Sequence, residues 1–504
     1  MELLEFREKT FKILDCADTS KIGDKLLNAV INNNSNIFEQ FENILSEDKD
    51  WLQALWQYYE ADRVEKKQDY TPKSLCKLVS ALVGECKSVY DCCGGSGALT
   101  LQCLEDRKID DVYVEELDSR VIPFLLFNLV LHNANGYVVN GNALSNEIIK
   151  AYQITKGTKY SVVKQISVNN VPEINADVAI SNPPYNIKWA PPLPLENDNR
   201  FPVIPPANNA NWAFVFNCLS KTDKTVLILP NGILSERTEQ DIRKYFVDSD
   251  LIEKVIMMPE KMFEATDIPI CIVVLNKNKT RKGVVKFIDS RKNCITEERK
   301  QNGQFGGSSH TNRTYKRKYN ALNDENIKRI LGAPENQTGF SAAKTNKEIA
   351  DNGYFLMPSR YIAFEERENT HRSFQQIADN INYITRMQNA CKLVINETIA
   401  KNLGINIETF KKNIENSKEL AKTHSEMIGI KLDISDYVQF TKNKNEIIFK
   451  CNDKELLPDI LLQFFSVWKN QIALLNTMQN QYLTELRDAL LPDLMSGKID
   501  AHGE

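Results

Sequence analysis

Ser181-Asn182-Pro183-Pro184-Tyr185 closes the run Ala176-Asp177-Val178-Ala179-Ile180, which reads as a short buried strand. Two consecutive prolines continue neither a strand ladder nor a helix, because each lacks a backbone donor and fixes φ. They build a stiff turn that sets an Asn side chain, outward carbonyls and an aromatic ring side by side. Such a turn suits a planar amine: the Asn182 oxygen and the Pro183 carbonyl accept its two N–H groups, and Tyr185 stacks on the ring. A Pro-rich surface turn is the plainer reading of the same residues. The surrounding sequence decides between the two.

Upstream, Ser88-Val89-Tyr90-Asp91 reads as a strand ending in an acid, followed by Cys92-Cys93-Gly94-Gly95-Ser96-Gly97. Helical spacing then starts at Ala98, Leu99, Leu101 and Leu104. Glycines there let the backbone approach a ligand closely and take positive φ. The acid before the glycines separates this turn from the dinucleotide fingerprint, and a mere tight turn is the competing reading. Val112-Tyr113-Val114-Glu115-Glu116-Leu117-Asp118 reads as the next strand. In a doubly wound sheet an acid at its end faces ribose hydroxyls. Strand alternation favours Glu116 for that place, with Glu115 on the other face; a solvated strand end is the alternative. Tyr137-Val138-Val139-Asn140-Gly141-Asn142 reads as a third strand running into turn chemistry. Ahead of the glycines, Tyr70-Thr71-Pro72 precedes an amphipathic helix through Leu75, Leu78, Val79 and Leu82. Thr71 there reads as an N-cap and Pro72 as a first-turn residue.

After the prolines, a Pro- and Asn-rich loop runs to Pro206, and helical spacing resumes at Ala210–Phe216. Strands are expected over 225–232 and 255–259, then Glu260-Lys261-Met262-Phe263, then a return strand over 268–275.

The glycine-rich turn resembles motif I of S-adenosylmethionine methyltransferases, with Asp91, Gly95, Ser96 and Gly97 in place and Cys92 and Gly94 departing from the usual pattern. The Asn182–Tyr185 turn resembles motif IV of amino-group methyltransferases. Together with Lys188-Trp189, Leu229-Pro230-Asn231-Gly232, Met258-Pro259 and Tyr354-Phe355-Leu356, residues 67–365 resemble the type I restriction–modification DNA methyltransferase (M) subunit and, more loosely, the γ-class adenine-N6 enzymes. The resemblance implies an α/β fold with a Rossmann-like sheet flanked by helices. It implies S-adenosyl-L-methionine as cofactor, held by Tyr70, Thr71, Pro72, Asp91, Gly95, Ser96, Gly97, Glu116, Asn142 and Asn182. Asn142 stands where the family usually has Asp, and an amide oxygen still accepts a bond from the cofactor's adenine. Asn182, Pro183, Pro184, Tyr185 and Phe263 would form the catalytic site, with Phe263 packing on a flipped adenine opposite Tyr185. A core aromatic is the bland reading of Phe263. The implied partners are double-stranded DNA, a specificity subunit and a restriction subunit. An RNA or protein amide N-methyltransferase shares the NPPY turn and is the alternative; a non-catalytic scaffold is a third.

The flanks read as helical. Residues 1–66 suit packing or partner docking, 67–330 the methyltransferase domain, and 331–504 a mostly helical region. Its last helix keeps a coiled-coil rhythm from Leu461 to Ala489 and resembles the helix ends of specificity subunits, so pairing through 461–490 is expected. Residues 279–320 concentrate Lys and Arg around a glycine- and serine-rich piece, either to track phosphates or simply as a solvated loop.

At 504 residues there is room for two or three domains. Eleven cysteines without a CxxC pair argue against a disulfide framework or a zinc site, and for a reducing cytoplasm. No apolar run approaches the ~18–20 residues a membrane span needs, and the first residues lack signal-peptide character. The net charge of −4 carries no global nucleic-acid signature, so any such role needs local basic surface.

Overall fold

Val89 and Tyr90, flanked by Ser88 and Asp91, form the first strand, and sheet growth on its two sides runs in opposite chain directions. The computed structural model describes residues 3–45, 51–59, 71–189, 198–264, 266–302 and 314–363, with short pieces between 376 and 489. It divides into two units, Met1–Glu365 and Glu366–Glu504.

In the first unit the strands are β1 (Ser88–Asp91), β2 (Asp111–Glu116), β3 (Gly136–Asn142), β4 (Glu147–Thr155), β5 (Val162–Ile166), β6 (Ala176–Ser181), β7 (Thr222–Pro230), β8 (Ile252–Met257), β9 (Ile270–Asn276), β10 (Val284–Asp289), β11 (Ile295–Asn302), β12 (Thr314–Ala321) and β13 (Ser341–Thr345). Among the described residues, eleven of them make one sheet in the order β13-β10-β8-β9-β7-β6-β1-β2-β3-β4-β5. The centre, β7-β6-β1-β2-β3, is parallel throughout. Strands β6 and β7 are mostly buried along their length, as strands covered by helices on both faces are. The α/β sheet expected from the sequence is present. Its order reverses between β1 and β6, and at such a reversal a crevice opens outside the strands' carboxyl ends.

The helices in chain order are α1 (Leu3–Leu14), α2 (Ile22–Ile31), α3 (Ser35–Glu42), α4 (Trp51–Tyr59), α5 (Lys73–Val83), α6 (Ala98–Asp106), α7 (Ile122–Leu131), α8 (Asn211–Lys221), α9 (Gln240–Asp248), α10 (Asp324–Leu331) and α11 (Asn346–Asp351). The crossovers that keep the central strands parallel are α6, α7 and α8. Helix α7 is apolar all round, and its nine residues Ile122–Val130 are buried. A helix of that kind needs cover on every side. The N-terminal helices supply it: Phe38 and Phe41 pack edge-on to Phe127 at 5.6 and 4.8 Å between ring centres, and Trp56 lies 5.3 Å from Phe124. The N-terminal region is thus part of the main core.

The boundary expected at 330 falls instead at 365. Strand β13 pairs antiparallel with β10, from Val284 opposite Thr345 to Ile288 opposite Ser341, which carries the sheet past residue 340. The return strand β9 lies antiparallel between β7 and β8, as its apolar run suggests. In the second unit, residues 476–489 are helical, with Gln479, Tyr482 and Leu486 half-buried and Ala489 buried. Residues 461–475 and 490 of the proposed seam lie outside the described residues. Gln439–Phe440 pairs antiparallel with Ile447–Ile448, within the region expected to be mostly helical. Among the described residues no helix is long and apolar enough to cross a membrane.

Where β1 turns into α6, Gly94 sits against β2. Its N–H donates to the Glu115 carbonyl at 3.0 Å, and an added Cβ would lie 2.2 Å from Val114 Cγ1. Val114 is β-branched and stiff, so it cannot swing aside. Gly94→Ala is therefore expected to lose roughly 1–3 kcal/mol in a urea titration, with Val114→Ala in the same chain restoring part of it. Equal stability of Gly94→Ala and the wild type would contradict this packing.

Candidate active site

The carboxyl ends of β1 and β6 are neighbours, with Asp91 in register with Ile180. The buried Ser181 hydroxyl donates to Asp91 Oδ1 at 2.9 Å, which joins the two turns that follow these strands. Asp91 also accepts from the Cys93 backbone N–H at 3.1 Å and from the Thr100 hydroxyl at 3.4 Å. One carboxyl thus holds strand β6, the glycine-rich turn and the first turn of α6. Burial pushes its pKa up to about 7, against the hydrogen bonds from Cys93 and Ser181 that pull it down.

In the glycine-rich turn, Gly95 and Gly97 take φ of +55° and +101°, values that L side chains rarely adopt. Gly97 N–H donates to the Gly94 carbonyl at 2.8 Å, closing the turn. Glu116 reaches back from β2, accepting from Gly95 N–H at 2.8 Å and Asp118 N–H at 2.7 Å. Glu115 lies on the other face, bonded to the Tyr90 hydroxyl at 3.0 Å and Lys221 at 2.8 Å, as strand alternation requires. Asn128 of α7 donates to the Ser96 carbonyl at 3.0 Å, while the Ser96 hydroxyl is buried with no hydrogen-bond partner. That orphaned hydroxyl, in a turn of two positive-φ glycines with an acid alongside, fits a polar ligand with hydroxyl or amine groups.

On the β6 side, the Tyr185 hydroxyl donates to Asn182 Oδ1 at 2.6 Å, and Asn182 Nδ2 donates to the Thr71 hydroxyl at 3.1 Å. Thr71 therefore fixes which way the Asn182 amide faces. It does not act as the N-cap expected of it: α5 starts at Lys73, and the Pro72 carbonyl takes the first bonds, from Leu75 and Cys76. Tyr70 lies outside the described residues. Beyond Tyr185, Asn186 and the buried Asn211 at the start of α8 exchange reciprocal bonds of 3.0 and 2.9 Å. Phe263 is 2% exposed and meets Tyr185 edge-on, with ring centres 6.3 Å apart and planes at 88°. Two faces parallel enough to sandwich a base, as the sequence suggested, are not formed here; Phe263 presents a wall and Tyr185 the face.

Asn142 is used differently from the expectation. Its Oδ1 accepts from Leu144 N–H at 3.0 Å and Ser145 N–H at 3.4 Å, closing the turn after β3. Both lone pairs are taken, so the oxygen expected to receive an adenine amine is committed to its own loop.

Sequence reading missed Ser181 as the joint between the halves and Arg200 as a tie beneath them. Arg200 forks onto Asp198 at 3.0 and 2.7 Å and donates to the Ala143 carbonyl at 2.9 Å, the Leu144 carbonyl at 2.6 Å and Asn217 Oδ1 at 2.8 Å. The loop after β3 is thereby fastened to the segment that leads into α8. On the other side of that loop, Trp189 bonds Pro206 and Ala207 at 3.0 and 3.1 Å, and Ala210 bonds Ile187 at 2.9 Å.

A sheet with a glycine-rich turn and an Asn-Pro-Pro-Tyr turn side by side at its reversal point is the Rossmann-like arrangement of S-adenosylmethionine-dependent methyltransferases. The chain belongs to the N-6 DNA Methylase family, whose model matches residues 50–370. It is 27% identical over 320 residues to the type I restriction enzyme MpnII methylase subunit of Mycoplasma pneumoniae, covering 59% of this chain and 53% of that one. To the type I restriction enzyme HindI methylase subunit of Haemophilus influenzae it is 27% identical over 381 residues, covering 71% and 78%. The match thus spans about half the length of the first relative. Among solved structures, the methyltransferase subunit of a type I restriction-modification system from Streptococcus thermophilus aligns with a TM-score of 0.48 at 21% identity, over 72% of this chain and 77% of that one.

The buried Asp91 makes a pH prediction. Its folded pKa of about 7 lies above the ~3.9 of an unfolded Asp, so the folded state holds the proton more tightly. Its contribution to stability is full below pH ~4, falls as pH rises from about 4 to 7, and is gone above that. The melting temperature of the wild type, relative to Asp91→Asn, is expected to drop by a few degrees between pH 5 and 7.5. A difference that stays constant with pH would refute the buried, proton-holding carboxyl.

Proposed function

We propose that this chain is the modification subunit of a type I-like restriction–modification system, transferring a methyl group from S-adenosyl-L-methionine to N6 of an adenine flipped out of duplex DNA. The observation that carries the reading is the Ser181–Asp91 joint, which sets the Asn182 amide beside the glycine-rich turn. Family membership and the methylase-subunit relatives favour adenine in DNA over an RNA base or a protein amide.

Gly95, Ser96, Gly97 and Glu116, with Thr71 and Pro72 and with Tyr70 next to them in sequence, would hold the cofactor, whose chemistry is an electrophilic methyl on a sulfonium. Asp91 acts from beneath by shaping the turn. Asn142 shapes its own loop and is left out of the cofactor set.

Adenine N6 lies inside the duplex stack, so the base must leave it at a cost of a few kcal/mol. Stacking on Tyr185 returns roughly 1–3 kcal/mol, and Phe263 closes the side of the pocket. The amine then displaces the Tyr185 hydroxyl from Asn182 Oδ1 and gives its second N–H to the Pro183 carbonyl; Pro184 keeps the turn rigid. Two acceptors on one nitrogen draw its lone pair out of ring conjugation and aim it at the methyl group. Thr71 holds the Asn182 amide so that oxygen, not nitrogen, faces the substrate. No strong base is required, because the amine proton becomes acidic only once the new bond forms. Catalysis rests on positioning and fixed dipoles.

Base recognition is assigned to a specificity subunit, with cleavage by a restriction subunit, and the coiled-coil rhythm of the sequence over 461–490 is proposed as a partner surface. The setting is the cytoplasm. Modified-base sequencing of DNA from cells expressing the chain with its genomic neighbours tests the whole reading. N6-methyladenine at one recurring motif, absent with Asn182→Ala, is the expected result; no mark with the wild type would defeat it. A finer test separates the two parts of Tyr185. Tyr185→Ala should lose roughly 5- to 150-fold in kcat/KM from the missing stack. Tyr185→Phe, which keeps the ring and releases Asn182 Oδ1, should stay within about threefold of the wild type. Equal losses in both variants would remove stacking from the mechanism.

A further inference from the structure

Strands β11 and β12 stand apart from the main sheet as a two-stranded antiparallel ribbon, paired from Ile295 opposite Ala321 to Asn302 opposite Thr314. Eight residues per strand make it about 27 Å long. Its root is fastened to the loop that carries Phe263. Asn320 donates from its backbone to the Lys261 carbonyl at 3.0 Å and from its side chain to the Glu260 carbonyl at 2.8 Å. Arg317 pairs with Asp267 at 3.1 Å, on the far side of Phe263 in sequence. The ribbon therefore springs from the rim of the pocket that holds Tyr185.

Tyr319 is buried and Lys318 is exposed, so β12 has an inner and an outer face. Lys316 lies two positions before Lys318 in the same strand. The register sets Lys300 opposite Lys316 and, one step on, Arg299 opposite Arg317. Like charges directly across a ribbon destabilise it, although Lys318 stands opposite Glu298 in the same register and Arg317 has its counter-charge in Asp267. Between Ile295 and Ala321 there are six Lys and Arg residues against two Glu, a net of +4 in a chain whose total is −4. That local excess of positive charge at the rim of the pocket is complementary to a dense anion.

We propose that the ribbon is a duplex-DNA contact that lays its lysine-bearing face along the phosphates flanking the flipped adenine. The proposal rests on the DNA reading of the site and adds where the duplex is gripped. A two-stranded ribbon fits the major groove, about 12 Å wide. Lysines offer point charges to phosphates and carry no base information, so the ribbon positions the duplex and leaves sequence reading elsewhere. Its attachment on both sides of Phe263 links phosphate contact to the wall of the base pocket.

The test uses the complex purified with its genomic neighbours and a labelled duplex of arbitrary sequence, titrated by fluorescence anisotropy across a salt series. The Lys316→Glu, Lys318→Glu double variant should bind at least tenfold more weakly at about 0.1 M salt. The slope of log K against log salt should shrink by about two, one for each lost phosphate contact. The Arg317–Asp267 root is left intact, and binding of S-adenosylhomocysteine by calorimetry should be unchanged. If the double Glu variant loses that binding through misfolding, the Lys316→Gln, Lys318→Gln pair decides, with the same slope change and a smaller affinity loss. Affinity within twofold of wild type and an unaltered slope overturn the proposal. So does failure of the variants to assemble with the neighbouring subunits, which would make the ribbon a protein-docking surface. Failure of the methylation reading is separate: a wild-type complex would then transfer no methyl group, whatever its lysines do to duplex affinity.

Discussion

The hydrogen bond from the Ser181 hydroxyl to Asp91 crosses the point at which the sheet reverses its strand order. Backbone pairing alone aligns β1 and β6 and leaves the turns beyond them to find their own course. The side-chain bond extends that alignment one residue further, past the last paired position. Because the same carboxyl also receives Cys93 N–H and the Thr100 hydroxyl, four pieces of chain meet on two oxygen atoms. Burying an acid this completely is costly, and the cost falls where neither turn is held by strand pairing. Everything on the ligand side, from the positive-φ glycines to the Asn182 amide, hangs from that joint.

Much of this was legible in the sequence because the decisive residues are local. An acid, three nearby glycines and a strand before them can only make a tight turn, and two prolines after Asn182 can only end a strand. Alternation along β2 separates Glu115 from Glu116 without any knowledge of the neighbours. What stayed hidden depends on contacts between segments far apart in the chain. Thr71 looks like a helix cap until Asn182, 111 residues away, claims its hydroxyl. Asn142 looks like a ligand acceptor because the same amide oxygen serves equally well to close a turn, and only the fold chooses. Arg200 has no motif around it, and its partners come from β3's loop and α8. The β11–β12 ribbon reads as a basic loop in sequence because its charges mask any apolar alternation. Strand β13 lies beyond the boundary that the sequence suggests at 330, since its pairing with β10 leaves no local sign.

The two halves of the site also differ in how they are stiffened. The cofactor-side turn is shaped by backbone conformation and by Gly94 pressed against Val114. The amine-side turn is shaped by proline rings and by a relay of side chains, Thr71 to Asn182 to Tyr185. The first is hard to alter by any single side-chain movement. The second opens when one hydroxyl lets go, which is suited to a substrate that arrives, reacts and leaves.

Arg200 has an evolutionary consequence. With Trp189, Ile187 and Ala210 fastened on one side and Arg200 knotted to Ala143, Leu144 and Asn217 on the other, both feet of the intervening segment are nailed down. A substitution at Arg200 is thus felt at once in the loop after β3, in α8 and in the approach to it, which makes this position harder to change by single steps than its lack of a motif suggests.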